Sequence, residues 1–231
     1  MNTRFSFFVL LLSVIALVTP VHASLTFEYT VEYSGATNPV GDPPWLSAAF
    51  EDHNDNTSIP VNEVRLTLTA VNLTSSEFVS DWYFNIDPLF DTFIPPSGSS
   101  IAITYLNGIH ASGIQIGKDA FKASGDCDFD ILISFPTSND DPDLRFSSTD
   151  TATFKILFTG DSGLTLKADS FNFLSVGGGG TKDGLYTVAH VQGIPPDDSG
   201  LVTTEVPVPG AVWLLGSGLL GLLIIRRRRS R

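Results

Sequence analysis

Apolar and polar positions alternate along much of this chain with a period of two, which is the spacing of side chains on the faces of a β-strand. Over residues 25–33, Leu25, Phe27, Tyr29, Val31 and Tyr33 share one face, and Thr26, Glu28, Thr30 and Glu32 share the other. Residues 64–71 repeat the pattern, with Val64, Leu66, Leu68 and Ala70 opposed to Arg65, Thr67 and Thr69. The same reading predicts strands over 78–86, 101–106, 128–135, 151–158, 164–176 and 185–191. Clusters rich in Gly, Pro, Asn, Asp and Ser separate them, as at 38–44 and 138–143, and such clusters make turns. No stretch of ten or more residues carries a helical stripe outside the two ends of the chain, so the helices of a parallel α/β sheet are missing. The pattern predicts an all-β fold: one antiparallel β-sandwich or jelly-roll-like domain over 24–200.

The ends follow a different rule. Arg4 precedes an almost unbroken apolar run over 5–18, and Val21-His22-Ala23 has the small-x-small form that signal peptidase accepts. Residues 1–23 read as a secretory signal, cut between Ala23 and Ser24. An uncleaved N-terminal anchor is the alternative, and Pro20 and Ala23 speak against it because they end the run at the cleavage position. A second apolar segment, 210–225, is followed by Arg226, Arg227, Arg228, Arg229 and Arg231. As a helix, its sixteen residues cover about 24 Å, against a hydrocarbon core of about 30 Å. Snorkelling arginines close most of the difference. The positive-inside rule keeps the arginine-rich end, 226–231, in the cytoplasm and places the β-domain outside, with 201–209 as spacer.

Charge divides along the same lines. All 25 acidic residues lie between Glu28 and Glu205, whereas Arg4 and the five tail arginines lie outside that stretch. Seven Lys and Arg remain inside it, so the exported part carries −18 while the whole chain carries −12. Such a surface repels nucleic acid and anionic lipid and attracts divalent cations or basic partners; it also serves solubility. Cys127 is the only cysteine, so the core must hold the fold without an intramolecular disulfide.

The tail therefore has three ordered parts: Val206-Pro207-Val208-Pro209, an apolar helix that begins at Gly210, and the arginine cluster. This resembles the PEP-CTERM class of sorting signals in its Val-Pro-x-Pro variants. Val208 stands where the name-giving motif has Glu. The resemblance implies a Gram-negative host and a transient stay in the inner membrane. It also implies recognition by an exosortase-type membrane protease or transpeptidase, then placement at the cell surface or in an exopolysaccharide or biofilm matrix. The layout has its own physical logic. Pro207 and Pro209 keep the segment extended and out of the helix, and the arginines fix its height above the membrane. Gly216, Gly218 and Gly221 form a small-residue face suited to close packing in the bilayer. A single-span anchor that is never cut is the alternative.

Candidate chemistry in the exported part is sparse. Gly160-Asp161-Ser162-Gly163 matches the nucleophile quartet of chymotrypsin-type proteases, but Leu164-Thr165 follows it and His53 lacks the small-residue context of that family. Asp126, Asp128 and Asp130 occupy alternate positions, which predicts three carboxylates on the solvent face of a strand whose Phe129, Ile131, Ile133 and Phe135 face the core. Calcium is the hard cation that such oxygens suit, although Ile131 and Thr137 occupy the places where an EF-hand loop needs Gly and Glu. A screened acidic strand is the competing reading. His53, His110 and His190 lack zinc-site spacing, and His190 reads as a hydrogen-bonded structural residue. Trp45, Trp82, Tyr83, Tyr105 and Tyr186 would stack on sugar rings if exposed together. Three functions are in play: a structural or adhesive surface protein with no catalytic residues, a calcium-assisted carbohydrate-binding module, and a secreted hydrolase built on a carboxylate pair.

Overall fold

The computed structural model describes residues 24–74, 76–123, 127–177 and 184–205. Both chain ends lie outside this set, and with them the predicted signal, the sorting element and the span. The first strands are β1 (Leu25–Glu32), β2 (Leu46–Glu51), β3 (Glu63–Ala70), β4 (Phe78–Phe84), β5 (Ile101–Gly108) and β6 (Gly113–Ala123). There follow β7 (Cys127–Ser134), β8 (Phe146–Ser147), β9 (Thr151–Phe158), β10 (Val176–Gly177), β11 (Thr187–Ile194) and β12 (Asp198–Thr204). Helix is confined, among the described residues, to short 3-10 turns such as Pro88–Phe93 and Ala168–Phe171.

All twelve strands belong to one antiparallel sheet, in the order β10-β7-β4-β11-β12-β1-β2-β3-β9-β5, with β6 paired to β7 and β8 to β4. The sheet is not flat. In a flat sheet, strands four places apart would stand about 19 Å from each other. Yet the Phe50 ring of β2 and the Phe84 ring of β4 are 5.4 Å apart, edge to face. Tyr29 of β1 meets Trp82 of β4 at 5.1 Å in the same way, although two strands separate them. The sheet has curled until its apolar face closes on itself, in the manner of a sandwich.

Aromatic rings fill the space so enclosed. Phe50 stacks on Phe171 at 4.5 Å, Trp82 meets Phe146 at 5.8 Å, and Phe90 packs on Phe158 at 5.1 Å. Phe27, Tyr29, Phe50, Trp82, Phe146, Phe154 and Phe171 are all fully buried there. Burying a large apolar side chain stabilises by roughly 1.5–3 kcal/mol, so this cluster supplies the stability that a disulfide cannot: Cys127 is buried and free. Inside the core, the Tyr29 hydroxyl lies 2.5 Å from Thr187 Oγ1, and that hydroxyl donates to the Tyr83 carbonyl at 2.7 Å. Burial pushes the Tyr29 phenol far above its ordinary range, against the opposing pull of Thr187, and keeps it a neutral donor.

Seven of the eight expected strands stand where the alternation placed them, give or take a few residues. Residues 164–176 do not form the expected strand. They run mostly as irregular chain around the 3-10 turn Ala168–Phe171, and only Val176 reaches the sheet, as the start of β10. The expected spacer is also shorter. Residues 201–204 belong to β12, hydrogen-bonded to β11 on one side and β1 on the other, with Val202 and Thr203 buried. The domain therefore continues to Thr204, because Leu201-Val202-Thr203-Thr204 completes a central strand.

Candidate functional site

Two polar clusters stand out, and a bulge builds each of them. The first crosses three strands. Asp81 of β4 is paired with Ser134 of β7 on one side and His190 of β11 on the other, which sets the three side chains in a row. The β4–β11 register slips at this point: His190 pairs with Asp81, but Val191 pairs with Val79, leaving Ser80 as the extra residue. A bulge lets two successive side chains address one partner. Ser80 Oγ lies 3.0 Å from His190 Nδ1, and Asp81 Oδ2 lies 3.9 Å from the same nitrogen. Ser134 donates to Asp81 Oδ1 at 2.7 Å. Burial alone would push the Asp81 carboxyl up, but the His190 ring and the Ser134 and Ser80 hydroxyls outweigh it and hold it below the usual range.

Serine, histidine and aspartate have thus come together, though not as a triad. A triad places serine and carboxylate at opposite nitrogens of the imidazole, so that one receives the proton and the other orients the ring. Here both sit at Nδ1. The arrangement is an interstrand clamp in which the bulge is held by hydrogen bonds, in keeping with the structural role expected for His190. No local motif announces it, since its parts come from residues 80–81, 134 and 190 and meet only through register.

The second cluster surrounds Asp130. On β6, Ile116 pairs with Ile131 and Phe121 with Phe129, so residues 117–120 stand opposite Asp130 alone. Asp119 turns this bulge with φ +48°, in the left-handed region. Its N–H donates to Asp130 Oδ1 at 2.8 Å, and the Ile86 N–H donates to Oδ2 at 3.0 Å. Lys118 N donates to the Pro95 carbonyl at 2.7 Å, and its Nζ lies 2.6 Å from Asp91 Oδ2. Asp130 therefore pins β6, β7 and the β4–β5 connection together. Burial raises its carboxyl above the ordinary range; the two N–H donors oppose this, and the nearby Asp119 and Asp91 carboxylates add to it.

This corrects one expectation. Ile131, Ile133 and Phe135 do face the core, but Phe129 is buried in a separate small cluster with Ala123, Cys127 and Val188, and Asp130 is not on a solvent face: it is only 6% exposed. The β6 bulge folds over it, and backbone N–H groups stand where solvent was expected. Asp128 stays nearer the surface and pairs with Lys122 Nζ at 3.0 Å. Asp126 lies outside the described residues. Asp128 and Asp130 share no partner, and no group of three or more His, Cys, Asp or Glu side chains has metal-binding geometry among the described residues.

Other candidates have settled into the fold. Asp161 and Ser162 sit in an exposed turn, where Ser162 Oγ accepts the Leu164 N–H at 3.2 Å. Asp52 accepts from Asn54 N at 2.7 Å and from Ala168 N at 2.9 Å, tying the β2–β3 connection to the 3-10 turn. His53 Nδ1 lies 2.6 Å from the Ile59 carbonyl. Between Asp52, His53, Asn62 and Lys167 lies a cavity of about 70 Å3. That is well short of the roughly 300 Å3 where ligand pockets begin. Trp45 and Trp82 are buried, and Tyr186 stacks on Phe27 at 6.2 Å. Tyr105 lies against His110 at 4.6 Å, with its hydroxyl donating to the Gly108 carbonyl at 2.6 Å. Compared with protein-family models, curated proteins and solved structures, the chain matches none.

Proposed function

We propose that this chain is an exported structural or adhesive protein of the cell surface or exopolysaccharide matrix. Its β-domain is a jelly-roll-like sandwich held outside the membrane by the 210–225 span. An exosortase-type enzyme then processes it at Val206-Pro207-Val208-Pro209. The observation that carries this reading is how the domain employs its reactive side chains. Ser80, Asp81, His190, Asp52 and Asp130 bond to neighbouring strands and loops, where they fasten bulges and connections. The resulting body is an aromatic core in an acidic shell, a durable unit for display rather than a cleft for turnover. Burial of both described tryptophans favours this reading over sugar recognition by stacked rings.

Intact mass of the mature protein from its native host tests the proposal, beside a strain carrying Pro207→Ala and Pro209→Ala. The expected result is loss of both ends in the parent, with the tail retained in the double variant. The parent should be recovered from the extracellular matrix fraction and the variant from the membrane. A parent with an uncut tail would overturn the sorting claim.

A further inference from the structure

The strand register shows where the two ends of the described domain leave the sheet. β1 begins at Leu25, paired with Phe50 near the end of β2, and β12 ends at Thr204, paired with Tyr29. The two strands are antiparallel, so the first residue of one and the last residue of the other lie toward the same pole. Four residues of strand, about 13 Å, separate the two levels. The pairings Phe84 with Thr187 and Ile101 with Phe158 bring the β4–β5 and β9–β11 connections to that pole. Glu51 with Arg65 adds the β2–β3 connection. The opposite pole holds the β1–β2, β3–β4, β7–β9 and β11–β12 connections.

The tail then limits how far that pole can stray. With Thr204 still in the sheet, only residues 205–209 separate it from the apolar run that begins at Gly210. Fully extended, five residues reach about 17 Å. The connections at this pole also carry Val61, Leu89, Leu174 and Val176, each more than half exposed. Asp55, Asp87 and Asp161 lie among them and disfavour an anionic surface.

Resting on the reading of 210–225 as a membrane span, we infer that the β2–β3 and β4–β5 connections and residues 159–177 form a membrane-apposed face that meets zwitterionic lipid headgroups. The other pole, with Val40 and Leu144, is the face presented outward. The domain thus stands on the loops that would otherwise be the natural place to look for a ligand site, and any matrix or protein partner of the anchored form meets the β1–β2 and β7–β9 loops instead.

The test uses the full chain reconstituted in phosphatidylcholine vesicles that contain a headgroup-linked nitroxide lipid. Single cysteines replace Leu89, Leu174, Val40 or Leu144 and carry a fluorophore; buried Cys127 is left in place, with the parent chain as labelling control. Quenching several-fold stronger at positions 89 and 174 than at 40 and 144 is expected. A flexible insert of about twenty residues after Glu205 should erase that difference, because a coil of that length reaches well beyond the present spacer. Flotation of the same vesicles separates the two claims. A chain that fails to float with lipid overturns the span and the orientation together. A chain that floats, but is quenched equally at both poles or more strongly at 40 and 144, overturns the orientation alone.

Discussion

The strands β1, β2, β3 and β9 pair in unbroken register, whereas every contact of β11, and that of β6 with β7, contains a slip. In the first region, burial alternates residue by residue: Leu66 and Leu68 inside, Arg65 and Thr67 toward the surface. In the second, Ser80 and Asp130 are buried beside Val79 and Ile131. The regular region is held mainly by apolar burial, with the Tyr29 hydroxyl bonded to Thr187 inside it, and Arg65 and Thr67 turn toward the surface. The bulged region is held partly by hydrogen bonds that the bulges require, so its polar groups have moved inside. A carboxylate can therefore be structural here without any ion, because displaced backbone N–H groups supply the positive end of the interaction.

The largest expected effect falls in the regular region. Phe50→Ala removes a fully buried ring that touches Phe27, Phe84 and Phe171, and should cost about 3–5 kcal/mol in chemical denaturation. A cost near that of an exposed site would break the claim that the curled sheet closes over this ring. Next comes Asp130→Asn. One amide oxygen can still accept, but the NH2 group now faces a second N–H donor, for an expected cost of about 2 kcal/mol.

Acid titration sharpens the same contrast, because Asp130 and Asp81 shift in opposite directions. Asp130 has a folded pKa above the unfolded one, so its burial cost is relieved as pH falls through that raised value toward the usual carboxylate range. Asp81 has a folded pKa below the unfolded one, so its contribution is lost as pH falls through the depressed value. Denaturation between about pH 3 and 7 should show the deficit of Asp130→Asn widening toward acid and that of Asp81→Asn shrinking. Matching slopes for the two variants would contradict the assignment. The smallest effect is His190→Ala, about 1 kcal/mol, since the Ser80 hydroxyl loses its ring partner but keeps the Asp81 carboxylate and a 3.5 Å contact with the residue 190 carbonyl. A larger loss would mean that the ring carries more than the bulge.

The same division explains what could be read from the chain. Alternation revealed β1, β3 and β9 because each buries one face and wets the other. It missed β6, where Gly117-Lys118-Asp119-Ala120 interrupts the period, and β12, whose run from Asp198 to Thr204 looks like a polar spacer until β1 and β11 flank it. It also missed β2, whose Ser47, Ala48 and Ala49 are too small to mark a face. The carboxylates at 128 and 130 were legible as an alternating pair, but not the four-residue bulge that covers one of them. The Ser80–His190 contact spans 110 positions, and no local spacing encodes a meeting set by the pairing of β4 with β11.

The position of β12 has a consequence in time. It is the last strand of the domain to be made and lies near the middle of the sheet, joining the block that begins at β1 to the block built on β11 and β4. If the chain is exported as proposed, threaded outward from its N-terminus, each block could assemble on the way, but the two could not pair until Thr204 has crossed. Its longest pairings, such as Tyr29 with Thr204, must form after nearly the whole domain has emerged, and such distant contacts close slowly. On the same proposal, the adjacent tail would hold the newly completed fold at the membrane while β12 closes the sheet, and a cut after residue 205 would release a domain whose keystone strand is already in place.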